Sequence, residues 1–164
     1  MEFQGLVVGE LTITVTEIAA NGCRSPQASA TVTVLPEGTA TLFYPVAPCR
    51  ILDTRDANGP TQGRPLDPGA TLLMSAVGTC GVSFGAWAAA MNVTVTQPAA
   101  AGELCLFPGS GPPPLASTLS FAAGKTRANG TVLGLSSYPP GTFSIYNGSA
   151  GTAHVLVDVS GYFE

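Results

Sequence analysis

Turn-forming clusters punctuate this chain so closely that only short elements fit between them. Asn58-Gly59-Pro60, Asp67-Pro68-Gly69, Gln97-Pro98, the run from Gly109 to Pro114, Pro139-Pro140-Gly141 and Asn147-Gly148 each break the chain, because Gly supplies positive φ and Pro fixes φ and removes an N–H donor. Between them the apolar residues alternate with polar ones. Asn92-Val93-Thr94-Val95-Thr96 is the clearest case, and period two is the pattern of a half-buried strand. The reading predicts strands over residues 40–44, 49–54, 71–75, 89–96, 102–107, 118–121, 130–135, 142–146 and 154–159, with a helical turn over the Ala-rich residues 85–91. Many short strands with frequent turns make an all-β protein, an antiparallel β-sandwich or jelly roll.

Composition narrows the function classes. Charged residues are 10% of 164, against about 25% in an ordinary domain. Six basic residues face ten acidic ones, a net charge of −4, so a sequence-independent grip on nucleic-acid phosphates is not expected. No apolar stretch reaches the ~20 residues of a membrane-spanning helix. Lys125 is the single lysine. No secretory leader opens the sequence, yet Thr/Ser/Gly-rich β-sequence with four cysteines suits an oxidising compartment. The expectation is a piece of a longer secreted or cell-surface protein.

The first residues stand apart. Leu11, Ile13 and Val15 alternate with Thr12, Thr14 and Thr16, and Ala30, Val32 and Val34 alternate with Thr31 and Thr33. Asn21-Gly22 marks a turn between the two strands, and Pro36-Glu37-Gly38 reads as a linker. This strand, Asn-Gly-Cys, strand pattern resembles the last two strands of Ig-like or PKD-like domains. The resemblance implies a truncated domain over residues 1–37, followed by a β-sandwich module over 38–164. Two strands alone cannot bury a hydrophobic face, so the orphan hairpin packs on the second domain, stays partly mobile, or self-associates by adding to another molecule's sheet.

Residues 43–55, Phe-Tyr-Pro-Val-Ala-Pro-Cys-Arg-Ile-Leu-Asp-Thr-Arg, open a second set of landmarks. Gly78-Thr79-Cys80-Gly81-Val82, residues 92–96, Phe107-Pro108-Gly109, Ala128-Asn129-Gly130 and the terminal Asp158-Val159-Ser160-Gly161-Tyr162-Phe163 follow in order. Together they resemble a recurring module found towards the C-termini of secreted and cell-wall-associated bacterial proteins. The resemblance implies an extracellular accessory domain that attaches its parent to carbohydrate or cell wall, without a catalytic mechanism of its own. It also implies a Cys49–Cys80 disulfide, since both cysteines stand at landmark positions. Cys23 then either pairs within its own truncated domain or is captured by Cys105, which is otherwise a buried free thiol.

Asp53-Thr54-Arg55-Asp56-Ala57-Asn58-Gly59 is the densest polar cluster in a nearly uncharged sequence. One reading makes Asp53 and Arg55, with Asn92, Asn129 and Asp158, a hydrogen-bonded structural network, because charges taken into a sandwich must be paired and Arg suits bidentate carboxylate contact. A second makes Asp53, Arg55, Asp56 and Asn58 glycan contacts, since planar polar groups match sugar hydroxyls. A third gives Asp53, Asp56 and Asn58 to calcium, although the EF-hand spacing is missing. No cofactor and no catalytic metal site is otherwise expected: one histidine, His154, and scattered cysteines offer no zinc ligand set.

The aromatics divide in the same way. Phe43, Phe107, Phe121 and Phe143 fall in strand patterns and read as core, whereas Trp87 and Tyr138 fall in connections and read as a stacking platform for sugar rings. Asn92, Asn129 and Asn147 begin Asn-x-Ser/Thr sequons. Three functions compete: a non-catalytic carbohydrate- or cell-wall-binding module, a structural subunit assembling by strand addition, and a small hydrolase using carboxylates among Asp53, Glu103 and Asp158.

Overall fold

The structure is a computed structural model. It describes the strands Gly9–Val15 (β1) and Ala28–Val34 (β2) and residues 41–164. The Asn21-Gly22 turn, Cys23 and the Pro36-Glu37-Gly38 linker lie outside the described residues. The chain divides into two compact units, Met1–Ala40 and Thr41–Glu164. In the first, β1 and β2 pair antiparallel, with Leu11 opposite Val32 and Ile13 opposite Ala30.

The second unit is all-β. Its strands are Phe43–Asp53 (β3), Thr71–Ser75 (β4), Ala88–Thr96 (β5), Gly102–Pro108 (β6), Leu119–Phe121 (β7), Arg127–Gly134 (β8), Thr142–Asn147 (β9) and His154–Phe163 (β10). They form two four-stranded antiparallel sheets of order β3-β10-β5-β8 and β4-β9-β6-β7. Successive strands mostly cross from one sheet to the other, which gives the sandwich a jelly-roll strand order. The alternation explains the layers. Val93 and Val95 of β5 and Val155, Val157 and Val159 of β10 point inward and are fully buried against Leu104, Phe143 and Ile145 of the facing sheet. Burial of such side chains contributes about 1.5–3 kcal/mol each. Asn92, Thr94 and Asp158 take the outer face between them.

Three expectations are corrected. The separate strands over 40–44 and 49–54 are one strand, β3, running through Pro45 and Pro48. Proline is tolerated there because β3 is an edge, paired only with β10, where a missing N–H costs no ladder bond on the open side. The helical turn over 85–91 is absent. Residues 88–90 lie in β5, hydrogen-bonded between β10 and β8, so pairing on both sides overrides the helical propensity of alanine. Phe43, read as core, is exposed on that edge and packs against Phe163 of β10, ring centres 5.1 Å apart.

Two cross-links sit at the sheet edges. Asn129 Nδ2 donates to Thr118 O at 2.8 Å, tying β8 to the segment leading into β7. The Cys49–Cys80 disulfide joins β3 to the β4–β5 connection. Cys105 is a buried free thiol.

Candidate functional site

Trp87, Phe84 and Tyr138 are the most exposed aromatic side chains among the described residues, at 67, 80 and 87%. All three stand at one end of the sandwich. Trp87 is fixed by its backbone: its N–H donates to Phe163 O at 2.8 Å, and its carbonyl accepts Leu135 N–H at 2.7 Å. Phe84 lies against Gly78, whose φ of +77° and missing side chain leave room for the ring. Tyr138 occupies the turn of the β8–β9 connection, between Ser137 and Pro140, which form an isolated bridge; its peptide bond to Pro139 is cis. Ser136 Oγ donates to Tyr138 O at 2.8 Å and accepts Tyr138 N–H at 3.0 Å. Thr142 Oγ1 donates to Pro139 O at 2.8 Å.

Trp87 is shared by two shallow recesses. One, of about 160 Å³, is walled by Phe84, Trp87, Ser136, Ser137 and Pro140. The other, of about 250 Å³, is walled by Thr41, Trp87, Ala88, Val132 and Phe163. Small residues, Ala88, Ala90, Gly134 and Gly161, floor the outer face of this sheet end. The arrangement offers flat apolar ring surfaces on hydrogen-bonded loops with serine hydroxyls beside them. A flat ligand with one apolar face and polar edges matches that chemistry. Sequence reading placed Trp87 and Tyr138 in connections, where they are exposed, and passed over Phe84, for which a position in the Gly81-to-Gly85 loop was the available signal.

The polar cluster is elsewhere. Phe163 pairs with Phe43 at the aromatic end, and Leu156 pairs with Asp53 at the other. Seven residue steps along β10 separate them, about 23 Å at strand spacing. Asp53, Arg55, Asp56 and Asn58 therefore do not share a site with Trp87 and Tyr138.

Within the polar cluster, Asp53 accepts Arg55 Nε at 2.9 Å, Arg55 Nη2 at 2.7 Å, the Arg55 N–H at 3.0 Å and Arg50 Nη1 at 3.4 Å. The Arg55 guanidinium, foremost, holds the Asp53 carboxyl well below the usual carboxylate range, against the opposing effect of burial. Arg50 binds Asp158 with two bonds, at 2.8 and 3.1 Å. So the network is Arg55–Asp53–Arg50–Asp158, on the outer face and partly exposed. Asn92 and Asn129 do not join it. Asn92 Nδ2 donates to Thr94 Oγ1 and Asn129 Nδ2 to Thr118 O; they stand two and three strands away from Asp53 in the sheet order, whereas Asp158 is on the adjacent strand. Asp56 Oδ1 accepts the Asn58 N–H at 2.9 Å, a local turn. A groove of about 430 Å³ lies along Asp158, Asn92, Gly130, Ser160 and Pro48.

Two further polar centres are structural. Thr54 is fully buried: its Oγ1 accepts the Val155 N–H and bonds His154 Nδ1, both at 2.9 Å. Asn147, the third sequon asparagine, is also fully buried, and its Nδ2 donates to the carbonyls of Leu66, Asp67 and Gly151.

No protein-family model matches the sequence, and no curated protein matches it. Among solved structures the chain is similar to the Tobacco streak virus coat protein in its C2 crystal form, with 9% identity and a TM-score of 0.39 over 77% of this chain and 90% of that one. A dimer of the same coat protein gives 8% identity and a TM-score of 0.37 over the same shares. Likeness at this level carries no argument about what the chain does.

Proposed function

We propose that residues 41–164 form an extracellular, non-catalytic module that holds a parent protein on carbohydrate or cell-wall glycan through the rings of Trp87 and Tyr138, with Phe84 beside them. One observation carries the reading: a two-thirds-exposed tryptophan whose backbone is bonded on both sides, shared by two recesses. A tryptophan side chain has only two torsions to fix, so it loses little conformational freedom on binding, and an apolar sugar face stacks on its ring. The Cys49–Cys80 bridge accords with an oxidising, secreted setting.

The carboxylates favour a structural role over hydrolysis. A glycosidase general acid must hold its proton near neutral pH, and Asp53 is pushed the opposite way by Arg55. Asp158 is engaged by Arg50, and Glu103 belongs to the other sheet, opposite Ser120.

Native affinity electrophoresis against soluble polysaccharides and peptidoglycan fragments tests the reading. Retardation by at least one polymer, without released reducing sugar, is expected. Trp87→Ala and Tyr138→Ala should each weaken it about tenfold, the worth of roughly 1.4 kcal/mol, with thermal midpoints unchanged. Mobility unaffected by every polymer sinks the proposal, and retention untouched by both substitutions removes this platform.

A further inference from the structure

The edge strand β4, residues 71–75, reads Thr-Leu-Leu-Met-Ser, with no charge and no proline. Natural edges are guarded by charges, prolines or bulges. The other edge on the same open side, β3, has Pro45, Pro48 and two register shifts, and β8 is tied to the start of β7 through Asn129. Among the described residues, β4 pairs with β9 alone.

The ladder fixes which groups it leaves over. Asn147 N–H donates to Ala70 O, and Ala76 N–H to Gly141 O. Antiparallel bonding alternates along a strand, so Leu72 and Met74 bond to β9, while Thr71, Leu73 and Ser75 turn their N–H and C=O groups outward from the sheet edge. The β9–β6 ladder agrees, since Gly148 N–H donates to Glu103 O and Gly109 N–H to Thr142 O, which assigns the alternate residues of β9 to β6. The side chains follow the same alternation. Leu72 and Met74 pack on the core, and Leu73 is 45% exposed.

The segment is also close to a palindrome in chemistry. Turned about Leu73, Thr71 meets Ser75 and Leu72 meets Met74. We propose that β4 pairs antiparallel with β4 of a second copy of this chain, about a two-fold axis through Leu73, joining two sheets into one. The three outward-facing residues then supply about six new hydrogen bonds, two from each bonded pair. Leu73 packs on its symmetry mate at about 5.5 Å between Cα atoms. The contact is isologous, so it closes at the dimer rather than growing into a fibre. Five residues a side bury less than the ~1,000 Å² of a permanent interface, so association rises with concentration.

Sedimentation velocity on the full chain, from about 10 μM to about 1 mM, reads the equilibrium. The position on the axis gives a specific test. Leu73→Lys and Leu73→Glu each set like charges opposite one another, and each should weaken dimerisation at least tenfold. Mixing the two variants in equal amounts should restore it. Hydrogen exchange on the unmodified chain provides a readout free of mutation: the amides of Thr71, Leu73 and Ser75 should slow with concentration, while those of Leu72 and Met74 stay as they are. A wild-type monomer throughout, dimers indifferent to both charges, no recovery on mixing, or concentration-independent exchange at Thr71 and Leu73 would each overturn the pairing.

Discussion

Thr54 Oγ1 accepts the backbone N–H of Val155 at 2.9 Å across 101 residues of sequence, in a wholly buried position where β3 ends beside β10. The same two residues bond again through Thr54 N–H and Val155 O at 3.0 Å. Replacing Thr54 with valine keeps the shape and leaves the Val155 N–H without a partner. Such a group costs about 1–3 kcal/mol, and the His154 bond is lost with it. Urea unfolding of Thr54→Val should show a lower midpoint at unchanged slope. A change under about 0.5 kcal/mol would mean that water reaches Val155 and the site is not closed.

Asp53 makes stability depend on acid. Its carboxyl is held below the ordinary value of 3.8, mainly by Arg55, so the unfolded chain binds that proton more readily than the folded one. The contribution is complete above about pH 4 and is lost as pH falls further. Asp53→Asn should cost at most about 1 kcal/mol at neutral pH, as expected for an exposed ion pair, and should flatten the decline below pH 4. An acid limb equally steep in the variant would assign that decline to other carboxylates.

The Cys49–Cys80 bridge closes 31 residues. In the chain-entropy account that is about 3–4 kcal/mol, supplied by restricting the unfolded chain. The Cys49→Ala, Cys80→Ala variant should therefore lose stability without losing native near-UV dichroism at low temperature. Equal midpoints with and without the bridge would place the stabilisation elsewhere.

Cys105 is buried on β6, and burial, aided by Glu103, raises its thiol above the ordinary range. Thiolate is the reactive form, so alkylation of the native protein should be slow and should accelerate in proportion to unfolding. Fast labelling at neutral pH without denaturant would contradict the burial.

Much of the core was legible because period two needs no tertiary knowledge: Val93 and Val95, and Val155, Val157 and Val159, point inward as their alternation demands. What escaped depends on neighbours. Pro45 and Pro48 signal a break in any single sequence, and only the sheet order makes them an edge. Arg50 was overlooked because strict alternation puts it on the face opposite Asp53. The register shift between Val157 and Asp158 inserts one extra residue in β3 and brings both to the outer face. The exposed aromatics were partly visible, since Trp87 and Tyr138 fall in connections, while Phe84 was passed over. Their separation from the Asp53 cluster depends on the direction in which β3 and β10 run together.

Leu42 and Glu164 exchange backbone bonds of 2.8 and 3.1 Å, so a load pulling these two ends apart meets the β3–β10 ladder edge-on. Bonds arranged in that way yield one after another, like a zipper, at low force. The tear begins at the Phe43–Phe163 and Tyr44–Tyr162 ring pairs and reaches Cys49 within a few residues. There the bridge to Cys80 diverts the load past the intervening chain, which at about 3.5 Å per residue would otherwise pay out roughly 100 Å. Under such a load the chain between the two cysteines adds no length of its own.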